Sequence, residues 1–79
     1  MILIPMEQLV LIGINVSRLR KAKKLIQEDL AGLAEMDRSY LSEIENGYKN
    51  LSVTALLSLA KALDVNVIAL PFWRALYDI

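Results

Sequence analysis

The sequence predicts an all-α fold, a compact bundle of five short helices with a possible additional C-terminal turn. Three observations predict it. Apolar residues recur at intervals of three and four along most of the chain, which is the spacing of one helix face. No segment alternates polar and apolar residues over a useful length, as a half-buried strand would. The 79 residues are enough for one domain, so we expect a single domain over residues 1–79.

The first helix is expected to begin as early as Glu7 and to fray near Lys24 and Leu25. Its inner stripe should consist of Ile12, Val16, Leu19 and the stem of Lys23. Its far face should be basic, since cations crowd residues 18–24: Arg18, Arg20, Lys21, Lys23 and Lys24. A run of this kind is usually a solvated helix face; direct phosphate contact is the alternative.

Residues 27–47 predict two short helices joined by a tight turn, the helix-turn-helix arrangement. The first should run from Gln27 to about Ala34, and the second should start where the Asp37 carboxylate accepts backbone N–H groups of the first turn. Gly47 should end it, since glycine adopts positive φ without steric cost. Their buried residues are expected to be Leu30, Leu33 and Ala34 in the first helix and Leu41 and Ile44 in the second.

Ser52 is expected to cap a fourth helix. Its apolar face should be Val53, Leu56, Leu57, Ala60 and Leu63. Asp64 and Asn66 should end it, with Asn66 capping a fifth segment over residues 67–70, and Pro71 must begin a new element because it lacks the N–H that a continuing helix needs. A last apolar turn would contain Phe72, Trp73, Leu76 and Tyr77.

Apolar residues make up 56% of the chain and concentrate at its two ends. On a domain this small, such ends indicate self-association, so we expect the segments 1–11 and 65–79 to dimerise. The dimer interface should contain Val67, Ile68, Leu70, Phe72, Trp73 and Tyr77. A base-stacking platform is the alternative for the aromatic members, although a packing surface explains them more simply.

The composition disfavours an enzyme. The chain has no cysteine and no histidine, which removes thiolate chemistry, the usual zinc sites and the commonest general base. We expect no cofactor and no metal. The first 14 residues lack a basic leader and are interrupted by Pro5 and Glu7, and no apolar run is long enough to span a membrane. We therefore expect a cytoplasmic protein.

Four polar residues of the third helix should point away from its buried pair: Arg38, Ser39, Ser42 and Glu43. These residue types hydrogen-bond base edges in a major groove. The net charge of zero argues against nucleic acid, but a neutral chain still presents a basic face when its charges are segregated. A solvated helix face is the alternative. Glu43 would alternatively orient Arg38 or exclude wrong bases, and Tyr40 would pack at the core edge or donate to a phosphate.

Four pieces in this order resemble the Cro/cI-type (XRE) helix-turn-helix family of phage repressors, restriction-modification controller proteins and small bacterial regulators. They are Ile12-Gly13-x-Asn15-Val16-x-x-Leu19-Arg20, Gln27-Glu28-Asp29-Leu30-Ala31, Asp37-Arg38-Ser39-Tyr40-Leu41-Ser42-Glu43-Ile44-Glu45-Asn46-Gly47 and Leu56-Leu57-x-Leu59-Ala60-x-Ala62-Leu63. The resemblance covers about residues 12–70 and implies a λ-repressor-like DNA-binding domain. The opening of the third helix resembles that of the controller proteins in particular.

The resemblance also implies residue roles. Arg38, Ser39 and Glu43 match the family's base-reading positions, with Ser42 beside them. Phosphate contacts are implied for Gln27, Asn46, Tyr48, Lys49 and Asn50, with Tyr40 as a further candidate. Arg20 and Glu45 match a structural ion pair between the first and third helices. Such phosphate contacts position a protein on DNA, whereas base contacts specify sequence.

Four positions depart from the family pattern. Lys24 and Glu35 replace glycines, Ile26 replaces a capping Ser or Thr, and Leu51 replaces a common proline. The lost cap costs ~1 kcal/mol, and non-glycine residues at positive φ would be strained.

Two functions from different classes follow from these observations. The first is a homodimeric, sequence-specific regulator of transcription, a repressor or controller protein acting on double-stranded DNA at a pseudo-palindromic operator. The second is an antitoxin or other interaction module whose apolar ends bind another protein.

Overall fold

The computed structural model describes residues 5–65, and within them the chain forms four helices and no strand. The helices are α1 (Met6–Ala22), α2 (Gln27–Leu33), α3 (Arg38–Glu45) and α4 (Val53–Ala62). The all-α prediction is confirmed. The fifth helix, the last apolar turn and the whole predicted dimer interface (Val67, Ile68, Leu70, Phe72, Trp73 and Tyr77) lie outside the described residues. None of these four helices is both long and apolar enough to cross a membrane.

The core lies where α3 packs against α1 and α2, and α4 packs against α2. Its most deeply buried side chains are Ile12, Val16, Leu30, Leu41, Ile44, Leu59 and Leu63. Burying a side chain of this size stabilises the fold by about 1.5–3 kcal/mol relative to leaving it exposed. The inner pair predicted for α3, Leu41 and Ile44, is confirmed, as are Ile12 and Val16 of α1.

Four predicted core positions are wrong. Leu33 is 60% exposed, Val53 57% and Leu57 51%. Lys23 lies on the surface. Leu33 is the last residue of α2, and at 3.6 residues per turn it lies to one side of the face that buries Leu30 and Ala34. In α4 seven of the ten residues are apolar, so the spacing does not select one face, and Leu59 is buried instead.

The outer face of α1 also differs from the prediction. It is basic only in its second half. Four apolar side chains are exposed in its first half: Met6, Val10, Leu11 and Ile14.

All four helices end in the same way. The N–H of the third residue after each helix donates to a carbonyl of the last turn: Leu25 to Arg20 O (3.1 Å), Met36 to Ala31 O (2.9 Å), Tyr48 to Glu43 O (2.9 Å) and Val65 to Ala60 O (3.0 Å). This Schellman arrangement places the intervening residue at positive φ. Those residues are Lys24 (58°), Glu35 (55°), Gly47 (74°) and Asp64 (56°). The strain expected at Lys24 and Glu35 is therefore present, and only one of the four positions has glycine.

The helix starts agree with the sequence in part. The Ser52 hydroxyl accepts the N–H of Ala55 at 3.0 Å, as predicted. Asp37 stands at the cap position of α3, but its side chain accepts no backbone hydrogen bond, so that prediction is wrong. Ile26 has no side-chain acceptor. Instead, the Asp29 carboxylate accepts the N–H of Ile26 at 3.0 Å, which satisfies one donor at the start of α2.

Helices α1 and α3 cross at Gly13. A Cβ added there would lie 2.7 Å from the carbonyl oxygen of Glu45 and closer still to that of Ile44. Gly47 contacts α1 as well, since a Cβ at that position would lie 3.0 Å from Val10 Cγ2. The C-terminal end of α3 is thus set directly against the backbone of α1.

Candidate nucleic-acid interface

The surface of α3 opposite Leu41 and Ile44 carries the four side chains predicted to read bases. Arg38 and Ser39 are exposed in the first turn, and Ser42 and Glu43 are half-buried one turn later. Residues four apart lie above one another on a helix, so Ser42 lies beside Arg38 and Glu43 beside Ser39. The structure therefore brings the four together as one patch, which we call the α3 polar patch.

Arg20 holds the C-terminal end of α3. Its Nε donates to Glu45 Oε2 at 2.8 Å and its Nη2 to Glu45 Oε1 at 3.1 Å. Its Nη1 donates to the Leu25 carbonyl at 2.7 Å. Gln27 Nε2 also donates to Glu45 Oε1, at 3.1 Å. One guanidinium and one carboxylate thus join α1, the turn after it, the start of α2 and the end of α3.

This ion pair is buried, with the side chains of Arg20 and Glu45 only 10% and 6% exposed. The hydrogen bond to Glu45 raises the pKa of Arg20, burial lowers it, and the charge of Glu45 raises it further, so that the net shift is upward. A buried pair contributes little net stability compared with apolar packing, but the loss of one partner is costly. The function of the pair is therefore to fix where α3 lies.

The structure gives Glu43 a different neighbour from the one considered in the sequence. Its Oε2 lies 3.8 Å from Lys49 Nζ, with both side chains about half exposed. Lys49 follows the turn at Gly47, so the contact depends on the geometry of that turn and had no signal in the sequence. An exposed pair of this kind contributes ~0–1 kcal/mol, but it places a cation beside the only acid of the α3 polar patch.

The predicted phosphate-contact residues lie in varied surroundings. Tyr48 is 82% exposed, whereas Tyr40 is half-buried against the core. The amide of Asn46 donates to the Ser42 carbonyl at 2.8 Å, which caps the end of α3. Gln27 is half-buried and bonded to Glu45, and Asn50 is half-buried in the loop before α4.

No group of acidic side chains in residues 5–65 is arranged to hold a metal ion. The described surface presents a set of hydrogen-bond donors and acceptors on one face of a helix whose opposite face is buried. A second helix that projects such side chains from a helix-turn-helix is the arrangement that enters a DNA major groove. The fold and the α3 polar patch thus define a DNA-binding domain of the helix-turn-helix class.

Comparison with known proteins agrees with this class. Residues 16–70 match the family model described as Helix-turn-helix, which is more than half of the chain. The chain therefore belongs to the helix-turn-helix family of DNA-binding transcription regulators, and the resemblance to its Cro/cI-type members is confirmed. The chain is similar to the uncharacterized HTH-type transcriptional regulator y4dJ of Sinorhizobium fredii (strain NBRC 101917 / NGR234). The two are 40% identical over 60 residues, 76% of this chain and 78% of that protein.

Two solved structures are similar as well. One is the restriction-modification controller protein C.AhdI from Aeromonas hydrophila, with a TM-score of 0.76 and 44% identity, covering 77% of this chain and 92% of that chain. The other is the controller protein C.Esp1396I, solved as a tetramer in complex with its natural 35 base-pair operator. Its TM-score is 0.75 at 31% identity, covering 90% of this chain and 91% of that chain.

Proposed function

We propose that this chain regulates transcription by binding a pseudo-palindromic operator as a homodimer, in the manner of a restriction-modification controller protein or a phage-type repressor. The observation that carries the proposal is the α3 polar patch on the face opposite Leu41 and Ile44. The tetramer that C.Esp1396I forms on its operator supports binding by several copies to one DNA. The proposal places this action in the bacterial cytoplasm and assigns the chain no catalytic step.

Within this proposal, base reading belongs to the α3 polar patch. Arg38 is the cation of this patch and is exposed; it binds guanine O6 and N7 bidentately. Ser39 and Ser42 bond base edges as donors or acceptors. Glu43 accepts from cytosine N4, and Lys49 reduces the repulsion between its carboxylate and the phosphates. Phosphate contacts are assigned to Gln27, Tyr40, Asn46, Tyr48, Lys49 and Asn50.

The dimer contact is assigned to the C-terminal residues Val67, Ile68, Leu70, Phe72, Trp73 and Tyr77 of the sequence. A twofold axis between two such domains places their α3 helices in successive major grooves, about 34 Å apart. Twofold symmetry is the commonest solution for a self-associating chain. The operator should therefore contain two inverted half-sites separated by about one helical turn.

The test begins with selection of binding sequences from a random duplex library at near-physiological salt. The proposal expects an enriched inverted repeat. Arg38→Ala should then weaken binding to the selected site by about 1–3 kcal/mol and leave binding to random DNA nearly unchanged, because a base contact acts only on the right sequence. Lys49→Ala should weaken both more evenly, as expected for a phosphate contact.

Lys61→Ala is the matched control, since it removes an exposed cation from α4 and should change neither affinity. Equal losses from Arg38→Ala on selected and random DNA would refute the base-reading role. Failure of the folded protein to enrich any sequence would refute the operator itself and favour a protein partner.

A further inference from the structure

The outer face of α1 carries two apolar residues between opposite charges. Leu11 is 50% exposed and Ile14 is 56% exposed, while Glu7 and Arg18 are exposed on either side of them. These four residues are separated by steps of four, three and four. On an α-helix such steps follow one line along the surface, and they are the spacing of a seam between two packed helices. We call these four residues the α1 seam.

The α1 seam is opposite to the core-facing side of the helix, which carries Ile12 and Val16. Helices of soluble proteins usually present charged and polar residues on the side away from the core. Met6 and Val10, which are also exposed, widen the apolar region next to the seam. Within residues 5–65, α1 thus exposes four large apolar side chains, more than any other helix.

The α1 seam has an acid at one end and a base at the other, so it is complementary in charge to a second α1 seam that runs in the opposite direction. Consider a twofold axis across α1 midway between residues 12 and 13. In an antiparallel pair about that axis, Leu11 lies opposite Ile14 of the partner subunit and Glu7 lies opposite Arg18 of the partner subunit. A parallel pair would instead place each charge against its like. Charge complementarity thus selects both the occupant, a second copy of this chain, and its direction.

Arg18 is already held in place for such a contact. Its Nη2 donates to Asn15 Oδ1 at 2.6 Å, and Asn15 is only 5% exposed. A guanidinium has five N–H donors, so this bond leaves donors for a carboxylate. The side chain consequently loses less conformational freedom when an ion pair forms than an unrestrained arginine would.

We propose that the α1 seam binds the α1 seam of a second copy, with the two helices antiparallel. The contact goes beyond DNA binding and is separate from the dimer assigned to the C-terminal residues. It involves only one helix face per chain, and small interfaces of this size are weak. It therefore forms where the local concentration of the chain is high, and a chain that uses both contacts assembles beyond a dimer.

The experiment is sedimentation equilibrium of the full chain without DNA, at low salt and over a wide concentration range. Glu7→Arg and Arg18→Glu should each weaken the association at least about tenfold, because the symmetric contact replaces two ion pairs by two like-charge pairs. The double variant, with both reversals, restores two ion pairs and should associate as the wild type does. Lys61→Glu changes the charge by the same amount as Arg18→Glu, but on α4, and should leave the association unchanged.

Leu11→Gln is a second variant that keeps the charges and removes apolar contact from an exposed position. It should also weaken association. Circular dichroism of each variant checks that it is folded. Single reversals that associate like the wild type, or a double variant that fails to recover, would overturn the proposal. Reversals that lower the unfolding midpoint of the monomer and leave association unchanged would also overturn it, because the seam would then be covered by the same chain.

Discussion

Because α1 and α3 cross at Gly13, we predict that substitution of glycine by alanine has opposite effects on stability at Gly13 and at Gly32. Gly13→Ala should destabilise the domain, although alanine has the higher helix propensity. The added Cβ would lie 2.7 Å from Glu45 O and 2.9 Å from Glu45 C, and closer still to Ile44 O. These are backbone atoms, so the neighbour has no flexible side chain that could turn away.

The magnitude follows from two opposing terms. Replacing glycine by alanine inside a helix gains about 1 kcal/mol where space is open. A carbon–oxygen contact settles at roughly 3.3–3.6 Å, so α1 and α3 would have to separate by more than half an ångström. Overpacking of this kind costs about 1–3 kcal/mol. Subtracting the gain from this cost leaves a net destabilisation of about 1 kcal/mol, and of about 2 kcal/mol at most. For a domain of this size each kcal/mol lowers the unfolding midpoint by about 4–8 °C.

Gly32→Ala is the matched control. Gly32 lies in α2, and beyond the adjacent residues and the backbone of its own helix no heavy atom lies within 4 Å of an added Cβ. Alanine should therefore stabilise the domain by about 0.5–1 kcal/mol. Thermal and urea denaturation followed by circular dichroism measure both variants under the same conditions. If Gly13→Ala were as stable as Gly32→Ala, the close approach of α3 to Gly13 would be wrong.

Two further predictions concern the turn after α2 and the support of α3. Glu35→Gly should stabilise the domain by about 0.5–1 kcal/mol in urea denaturation, because Glu35 stands at a φ of 55° and glycine removes the strain of that conformation; Glu35→Ala keeps the strain and should change stability little. Arg20→Met should destabilise by about 3 kcal/mol, since it leaves the buried Glu45 carboxylate without its cation. A double-mutant cycle with Glu45→Gln measures the coupling, and a coupling near zero would contradict the structural role of the pair.

The core could be predicted where apolar residues are sparse enough for their spacing to select a face. In α3 only Leu41 and Ile44 are available to the core at that spacing, and both are buried. In α4 seven of the ten residues are apolar, so their spacing fits more than one face. Leu57 was predicted to be buried and Leu59 was not, the reverse of what is found. Helix packing, which depends on neighbours distant in sequence, decides between such faces.

Helix ends were predictable only where residue type signals them. Gly47 was predicted to end α3 because glycine adopts positive φ without steric cost. The positive φ at Lys24 and Glu35 was expected only from the family resemblance, and that of Asp64 was not predicted. Tertiary packing stabilises these turns by more than the roughly 1–2 kcal/mol that positive φ costs a residue with a side chain. The α3 polar patch was predictable because it is defined as the face opposite a buried pair.

Three contacts with α1 hold the C-terminal end of α3. The crossing at Gly13, the Arg20–Glu45 pair and the turn at Gly47 all hold its C-terminal end, while Arg38 and Ser39 lie at the other end, about 10 Å away along the axis at 1.5 Å per residue. The C-terminal end of α3 is therefore the end that α1 holds in place. A tilt of about 5° at the C-terminal end would move the N-terminal end by roughly 1 Å over that length. In the proposed function, a shift of this size is enough to weaken a bidentate hydrogen bond between Arg38 and a DNA base. Within the proposed function, substitutions at the C-terminal end of α3, away from the DNA, are therefore a route by which such a protein changes the sequence that it reads.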